Sequence, residues 1–165
     1  MSTCKSFAPI VDEHSRILIL GSMPGIKSLE QQEYYAHPQN RFWRLLALLL
    51  NEDVPQDYAA KQALLHKHHL ALWDTLGYCE RDGSLDSNIK NEAPNAVVEL
   101  AGKLPHLQAV VCNGGKAGAA FKKYFAKKMP EQVRIFYLPS TSPANARLRL
   151  EDLAERWQVI LQFLA

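Results

Sequence analysis

Residues 16–50, RILILGSMPGIKSLEQQEYYAHPQNRFWRLLALLL, decide how the rest of the chain is read. They open on the apolar run ILIL at 17–20, short and uninterrupted as in a strand buried on both faces. The Gly/Pro-rich turn GSMPG at 21–25 ends that strand. A polar and aromatic segment with Tyr34, Tyr35, His37 and Asn40 follows, and then Phe42, Leu45, Leu46 and Leu49 recur at helical spacing. Pro38 is expected in the first turn of that helix, where its missing N–H costs nothing. In parallel α/β proteins, ligands bind where the strands end. This loop carries more aromatic and amide groups than a connector needs, so the site is sought there.

Three more apolar runs have the same character: LALW at 70–73, AVVC at 109–112 and IFYL at 135–138. Helical patterns separate them, over 57–68, from Pro94 through Val97, Leu100, Ala101 and Leu104, over 115–128 and over 149–164. This alternation predicts βαβ units and a four-stranded parallel sheet covered on both faces. The strands then end in Gly21-Ser22, Asp74-Thr75, Asn113-Gly114 and the run Pro139, Ser140, Thr141, Ser142. One edge of the sheet collects hydroxyls, amides and turns.

Bulk properties narrow the class. A chain of 165 residues with 47% hydrophobic and 22% charged residues suits one domain spanning 1–165. The net charge of +2 permits an anionic partner without requiring one. Cys4, Cys79 and Cys112 are widely spaced and form no metal-binding pattern with histidine. No metal and no cofactor are expected, and an odd, unpaired cysteine count suits a reducing compartment. There is no signal-peptide pattern and no run approaching the ~18 apolar residues of a membrane span. The expectation is a cytoplasmic monomer.

Each polar segment has two readings. GSMPGIKS at 21–28 nearly matches a phosphate loop, with Lys27 and Ser28 in place, but Ile26 replaces the second glycine and Pro24 removes a donor. A plain strand-to-loop turn fits better. Asn40 either caps the helix or holds a water or substrate oxygen at its positive end. Asn113 is a turn residue or an amide facing a nucleobase edge. The run LPSTSPANARLR at 138–149 is a surface turn or a loop wrapping a phosphodiester through hydroxyl and backbone donors. Ser140 as an acyl-transfer nucleophile has no G-x-S-x-G around it. Asp74, Asp82, Asp86 and Ser87 show no spacing that isolates a carboxylate pair, and are expected in a solvated loop. The Lys122, Lys123, Lys127, Lys128 run is expected to be a solvated helix face.

Taken in order, GSMPG at 21–25, YYAHPQNRFW at 34–43, LWDTLGYCERDGSLDSNI at 72–89, CNGGKA at 112–117 and LPSTSPANA at 138–146 resemble the uracil-DNA glycosylase superfamily, most closely its hypoxanthine-DNA glycosylase branch. The resemblance covers most of the chain. It implies a three-layer α/β/α sandwich on a four-stranded parallel sheet, and a monofunctional enzyme that flips a damaged base from DNA and hydrolyses its N-glycosidic bond. The implied partner is double-stranded, or single-stranded, DNA bearing the lesion.

Position by position, Asn40 resembles the branch's essential catalytic Asn, and Tyr35 the aromatic that stacks on the flipped base. Asn113 resembles the base-reading Asn, with Gly21, Ser22 and Met23 as pocket wall. Ser140, Thr141, Ser142, Pro143, Asn145 and Arg147 fall in the loop that pinches the DNA backbone. Two departures stand out. Met23 sits where efficient uracil glycosylases keep a water-activating Asp or Asn, and Leu138 where they often keep a base-stabilising His. The resemblance therefore implies weak uracil activity, dependence on Asn40, and a preference for hypoxanthine. A non-catalytic damaged-DNA binder on the same fold, and a small-ester or phosphate hydrolase using Ser140, are the alternatives.

Overall fold

The computed structural model describes residues 2–164. In chain order the strands and helices are β1 (Ser2–Lys5), β2 (Ile17–Gly21), α1 (Ile26–Gln31), α2 (Phe42–Leu50), α3 (Tyr58–Lys67), β3 (Leu70–Asp74), β4 (Leu76–Arg81), β5 (Lys90–Pro94), α4 (Val97–Gly102), β6 (Ala109–Asn113), α5 (Gly115–Tyr124), β7 (Arg134–Leu138) and α6 (Leu150–Trp157). β2, β3, β6 and β7 form one parallel sheet in the order β3-β2-β6-β7. These are the four apolar runs of the sequence, and each is extended by a residue or less at either end.

Period-two alternation sends the side chains of each central strand into two separate cores. Ile17, Ile19, Leu70, Leu72 and Val111 pack with Phe42, Leu45 and Leu46 of α2, Leu65 of α3 and Trp157 of α6. On the other face Leu18, Leu20, Ala71 and Val110 pack with Val97 of α4 and Phe121 of α5. The result is the three-layer α/β/α sandwich expected. Burying each large side chain fully stabilises the fold by about 1.5–3 kcal/mol. No helix is long and apolar enough to cross a membrane among the described residues.

Local signals explain several boundaries. Asp57 caps α3 by accepting the Ala60 N–H at 2.8 Å. Asp152 accepts the Arg149 N–H at 2.9 Å and closes the first turn of α6. α2 ends where Asn51 adopts a left-handed conformation, φ 55°, and donates to the Ala47 and Leu48 carbonyls.

Other expectations are corrected. Pro38 is not in the first turn of α2, because residues 37–40 fold into a turn closed by the Asn40 N–H on the His37 carbonyl, and the helix starts at Phe42. Pro94 does not open α4; it is the last residue of β5, and the helix begins three residues later. α5 ends at Tyr124 and α6 at Trp157, each continuing as a tighter 3₁₀ segment. The stretch expected as a solvated loop instead supplies β4 and β5, which join β1 in an antiparallel sheet of order β1-β4-β5. Cys4, Met23, Leu76 and Cys79 make its small core.

Candidate active site

A cleft of about 780 Å³ lies over the carboxyl ends of the parallel strands, lined by Gly21, Ser22, Tyr35, Asp74, Asn113 and residues 139–145. Its volume is that of a small-molecule site. Ser22, Met23, Asp74, Asn113 and Thr141 are buried and form its floor, while Ile26, Lys27, His37, Leu85 and Arg147 are exposed at its rim. The polar strand ends thus converge as the parallel reading requires.

Tyr35 makes one wall. Its backbone is held at φ 54°, a conformation that costs a bulky residue energy and persists only when its surroundings enforce it. Phe42 backs the ring at a centroid distance of 4.0 Å and 22° between planes. The hydroxyl accepts a hydrogen bond from Asn113 Nδ2 at 3.2 Å. Burial, reinforced by the nearby Asp74 carboxyl, pushes the Tyr35 pKa up and keeps it neutral.

Asn113 is bound on both faces of its amide. Besides Tyr35, its Nδ2 donates to Thr141 Oγ1 at 3.1 Å, and its Oδ1 accepts the Thr141 N–H at 3.0 Å. It therefore ties the end of β6 to the aromatic wall and to the loop after β7. Both amide hydrogens are engaged, so contact with a base edge falls to the second lone pair of Oδ1, or requires one of the Nδ2 bonds to be exchanged. Gly114 follows at φ 101°, and a Cβ there would stand 3.0 Å from Ser140 Cβ, so glycine is what lets this loop close in.

Asn40 fulfils the capping reading of its residue type. Its Oδ1 accepts the Phe42 N–H at 2.9 Å, satisfying a free donor at the start of α2. Its Nδ2 has no protein partner among the described residues, and the side chain lines the cleft. Arg41 was not singled out by sequence and proves central. Its guanidinium donates to the carbonyls of Leu148, Ser142 (3.0 Å) and Asn145 (2.9 Å), and its own N–H donates to the Thr141 carbonyl at 3.1 Å. One side chain thus shapes the loop after β7 from the residue next to Asn40. The only sequence signal was a cation placed where an apolar helix begins.

The expectation of a solvated loop is wrong for Asp74. Strand pairing puts it opposite Gly21 at the end of β3, where it is 4% exposed and lines the cleft. Burial, with a contribution from the Asp86 charge and against the pull of Arg81, raises its pKa to about 7. Asp86 is exposed yet not merely solvated, since it accepts a 2.6 Å hydrogen bond from Ser22 Oγ across the cleft. Arg81 lies buried beneath the 21–25 turn and donates to the Pro24 carbonyl. Ser28, from the near phosphate loop, is spent on structure: its Oγ accepts the Ala36 N–H at 3.1 Å.

With this geometry in hand, comparison with known proteins is decisive. The family model described as the uracil DNA glycosylase superfamily matches residues 8–161. The chain belongs to the uracil DNA glycosylase superfamily. Within it, two relatives are named hypoxanthine DNA glycosylase. The Methanosarcina barkeri protein is 39% identical over 144 residues, covering 87% of this chain and 89% of that one. The Methanosarcina acetivorans protein is 34% identical over 160 residues, covering 96% and 98%. The solution NMR structure of a candidate uracil DNA glycosylase from M. acetivorans superposes with a TM-score of 0.85 at 32% identity, over 99% of both chains.

The remaining residues singled out for this superfamily member lie around the same cleft. Met23 is buried at the floor and packs into the small core with Cys4, Leu76 and Cys79. Ser140 Oγ accepts the Ser142 N–H at 3.1 Å, and no histidine or carboxylate bonds to it among the described residues, so nothing activates it as a nucleophile. Asn145 Nδ2 donates to the Ser140 carbonyl at 2.9 Å. No group of three or more His, Cys, Asp or Glu residues is arranged to hold a metal among the described residues.

Proposed function

We propose that this chain is a monofunctional, monomeric DNA glycosylase that hydrolyses the N-glycosidic bond of deaminated bases, with hypoxanthine in deoxyinosine preferred and uracil a poor substrate. The reading is supported by the two relatives of that name and, in the chain itself, by one observation above all: the Asn40 amide N–H₂ has no protein partner among the described residues, at a cleft walled by Tyr35.

Chemistry on a base inside a duplex requires that base to be turned out of the stack, at a cost of a few kcal/mol that is lowest for mispaired bases. The extruded base stacks on Tyr35, whose ring is already held by Phe42. As the glycosidic bond lengthens, positive charge grows on the sugar and negative charge on the base. Asn40, its oxygen fixed by the Phe42 N–H, offers its amide hydrogens to orient the attacking water at C1′. The Ser140 and Ser142 hydroxyls of the loop after β7, whose O–H groups can still donate, grip the flanking phosphates. Met23 can neither accept nor donate a proton, which agrees with weak uracil activity.

The test is release of free base from a panel of oligonucleotides carrying hypoxanthine, xanthine, uracil or an etheno-adduct. Hypoxanthine is expected to be released fastest, and the product strand should stay intact until alkali treatment. Tight lesion binding with no base released would favour a non-catalytic binder. Strand cleavage without alkali would show a lyase and exclude simple hydrolysis.

A further inference from the structure

Among the described residues Asp74 is the one carboxyl buried in the floor of the cleft, and the mechanism above leaves it without a task. Its Oδ2 has no hydrogen-bond partner among the described residues, an expensive state that a structure keeps only for a reason. Its Oδ1 points at the end of β2. A Cβ on Gly21 would stand 2.6 Å from that oxygen and 3.3 Å from the Tyr35 hydroxyl, so the carboxyl, the hydroxyl and a bare glycine meet at one point beside the stacking wall.

The groups around it keep a large share of the carboxyl protonated up to about pH 7. Burial opposes its charge, and Asp86 adds a like charge across the Ser22 bond. Arg81 attracts the charged form but is not within ion-pairing distance and is engaged on the Pro24 carbonyl. Tyr34 and Tyr35 stay protonated, and Lys27 and His37 lie out at the exposed rim. A neutral carboxyl presents an O–H donor. Hypoxanthine, like guanine, offers O6 and N7 as two acceptors on that edge, where adenine offers an amino donor beside N7.

We propose that Asp74 is the acid of the reaction, its carboxyl O–H facing the O6/N7 edge of the flipped hypoxanthine and passing its proton to N7 as the glycosidic bond breaks. The proposal rests on the glycosylase reading above and deepens it. The C1′–N9 electron pair moves onto the purine, the Asp74 proton goes to N7, and hypoxanthine leaves neutral. The water oxygen bonds to C1′, and the proton it sheds restores the Asp74 carboxyl through solvent.

Single-turnover release of hypoxanthine, followed from mildly acid to mildly alkaline pH, tests this. The wild-type rate should be level on the acid side and fall about tenfold per pH unit once Asp74 ionises. Asp74→Asn, equal in shape but unable to give up a proton, should bind the deoxyinosine duplex normally yet react at least ~100-fold more slowly, without that pH dependence. Asp86→Asn, which removes the like charge, should move the wild-type midpoint to lower pH. A wild-type rate that rises or stays level over this range, or an Asp74→Asn enzyme with unchanged rate and profile, overturns the proposal alone. If Asp74→Asn fails to fold, the wild-type profile decides by itself. A wild-type protein that releases no base from any lesion overturns the glycosylase reading, and this proposal with it.

Discussion

On the proposed mechanism Asn40 does two jobs with one amide, and substitutions can separate them. Asn40→Asp keeps an oxygen for the Phe42 N–H but loses the amide hydrogens; Asn40→Ala loses both. Base release should be lost in both variants. In urea denaturation, however, Asn40→Ala should lose about 1 kcal/mol while Asn40→Asp stays close to wild type. Equal destabilisation of the two would deny the cap. Asp74 makes a stability prediction of opposite sign. Its folded-state pKa of about 7 lies above the ordinary 3.8, so the folded protein holds a proton that the unfolded chain releases between these values. The group's contribution is most favourable in acid and is lost as pH rises through about 7. Asp74→Asn should therefore be more stable than wild type at pH 8, by an amount on the order of 1–3 kcal/mol, with much of the gain gone near pH 4. A difference that does not change with pH would mean the carboxyl is not held neutral by the fold.

At the scale of elements, the loop after β7 is shaped by Arg41 as well as by its own Ser140, Ser142 and Asn145. Arg41→Met removes the donors to the Leu148, Ser142 and Asn145 carbonyls while keeping most of the side-chain bulk. The expected loss is about 1–3 kcal/mol, as partly buried carbonyls lose charged donors. Amide exchange should speed up across residues 138–148, with α2 beyond its first turn unchanged; uniform exchange would show that the clamp is not local. The elements also explain what the sequence could and could not convey. β2, β3 and β6 are buried on both faces, so their residues had to be continuous apolar runs, which are visible in any sequence. β4 and β5 lie at the margin, with burial that follows neither a clean alternation nor an apolar run, as in Lys90, Asn91 and Glu92, and they were read as loop. Asn40 and Tyr35 were legible because their residue types stand out in their segment. Asp74 was legible as a strand-end residue on the site's edge but not as a buried one, since its burial comes from pairing with Gly21, 53 positions away in sequence. The same holds for Arg41, whose partners lie 101 to 107 residues downstream.

For the molecule as a whole, a net charge of +2 means that DNA must be gripped locally, by the few cations around the cleft, rather than by a broad positive field. Arg147, exposed beside the loop after β7, is one of them. Arg147→Ala should weaken binding to lesion and undamaged duplex alike, and flatten the dependence of log K on log salt by about one unit. A loss confined to the lesion duplex would assign Arg147 to the base instead of the backbone. The central claim is that this fold removes hypoxanthine, with Asn40 supplying the water-orienting amide. Its most direct test is chromatographic measurement of free hypoxanthine from a deoxyinosine duplex, with purified wild-type protein and Asn40→Ala side by side. The wild type should release hypoxanthine stoichiometrically and the variant none, both proteins being folded; equal release by the two, or none by either, would refute the assignment.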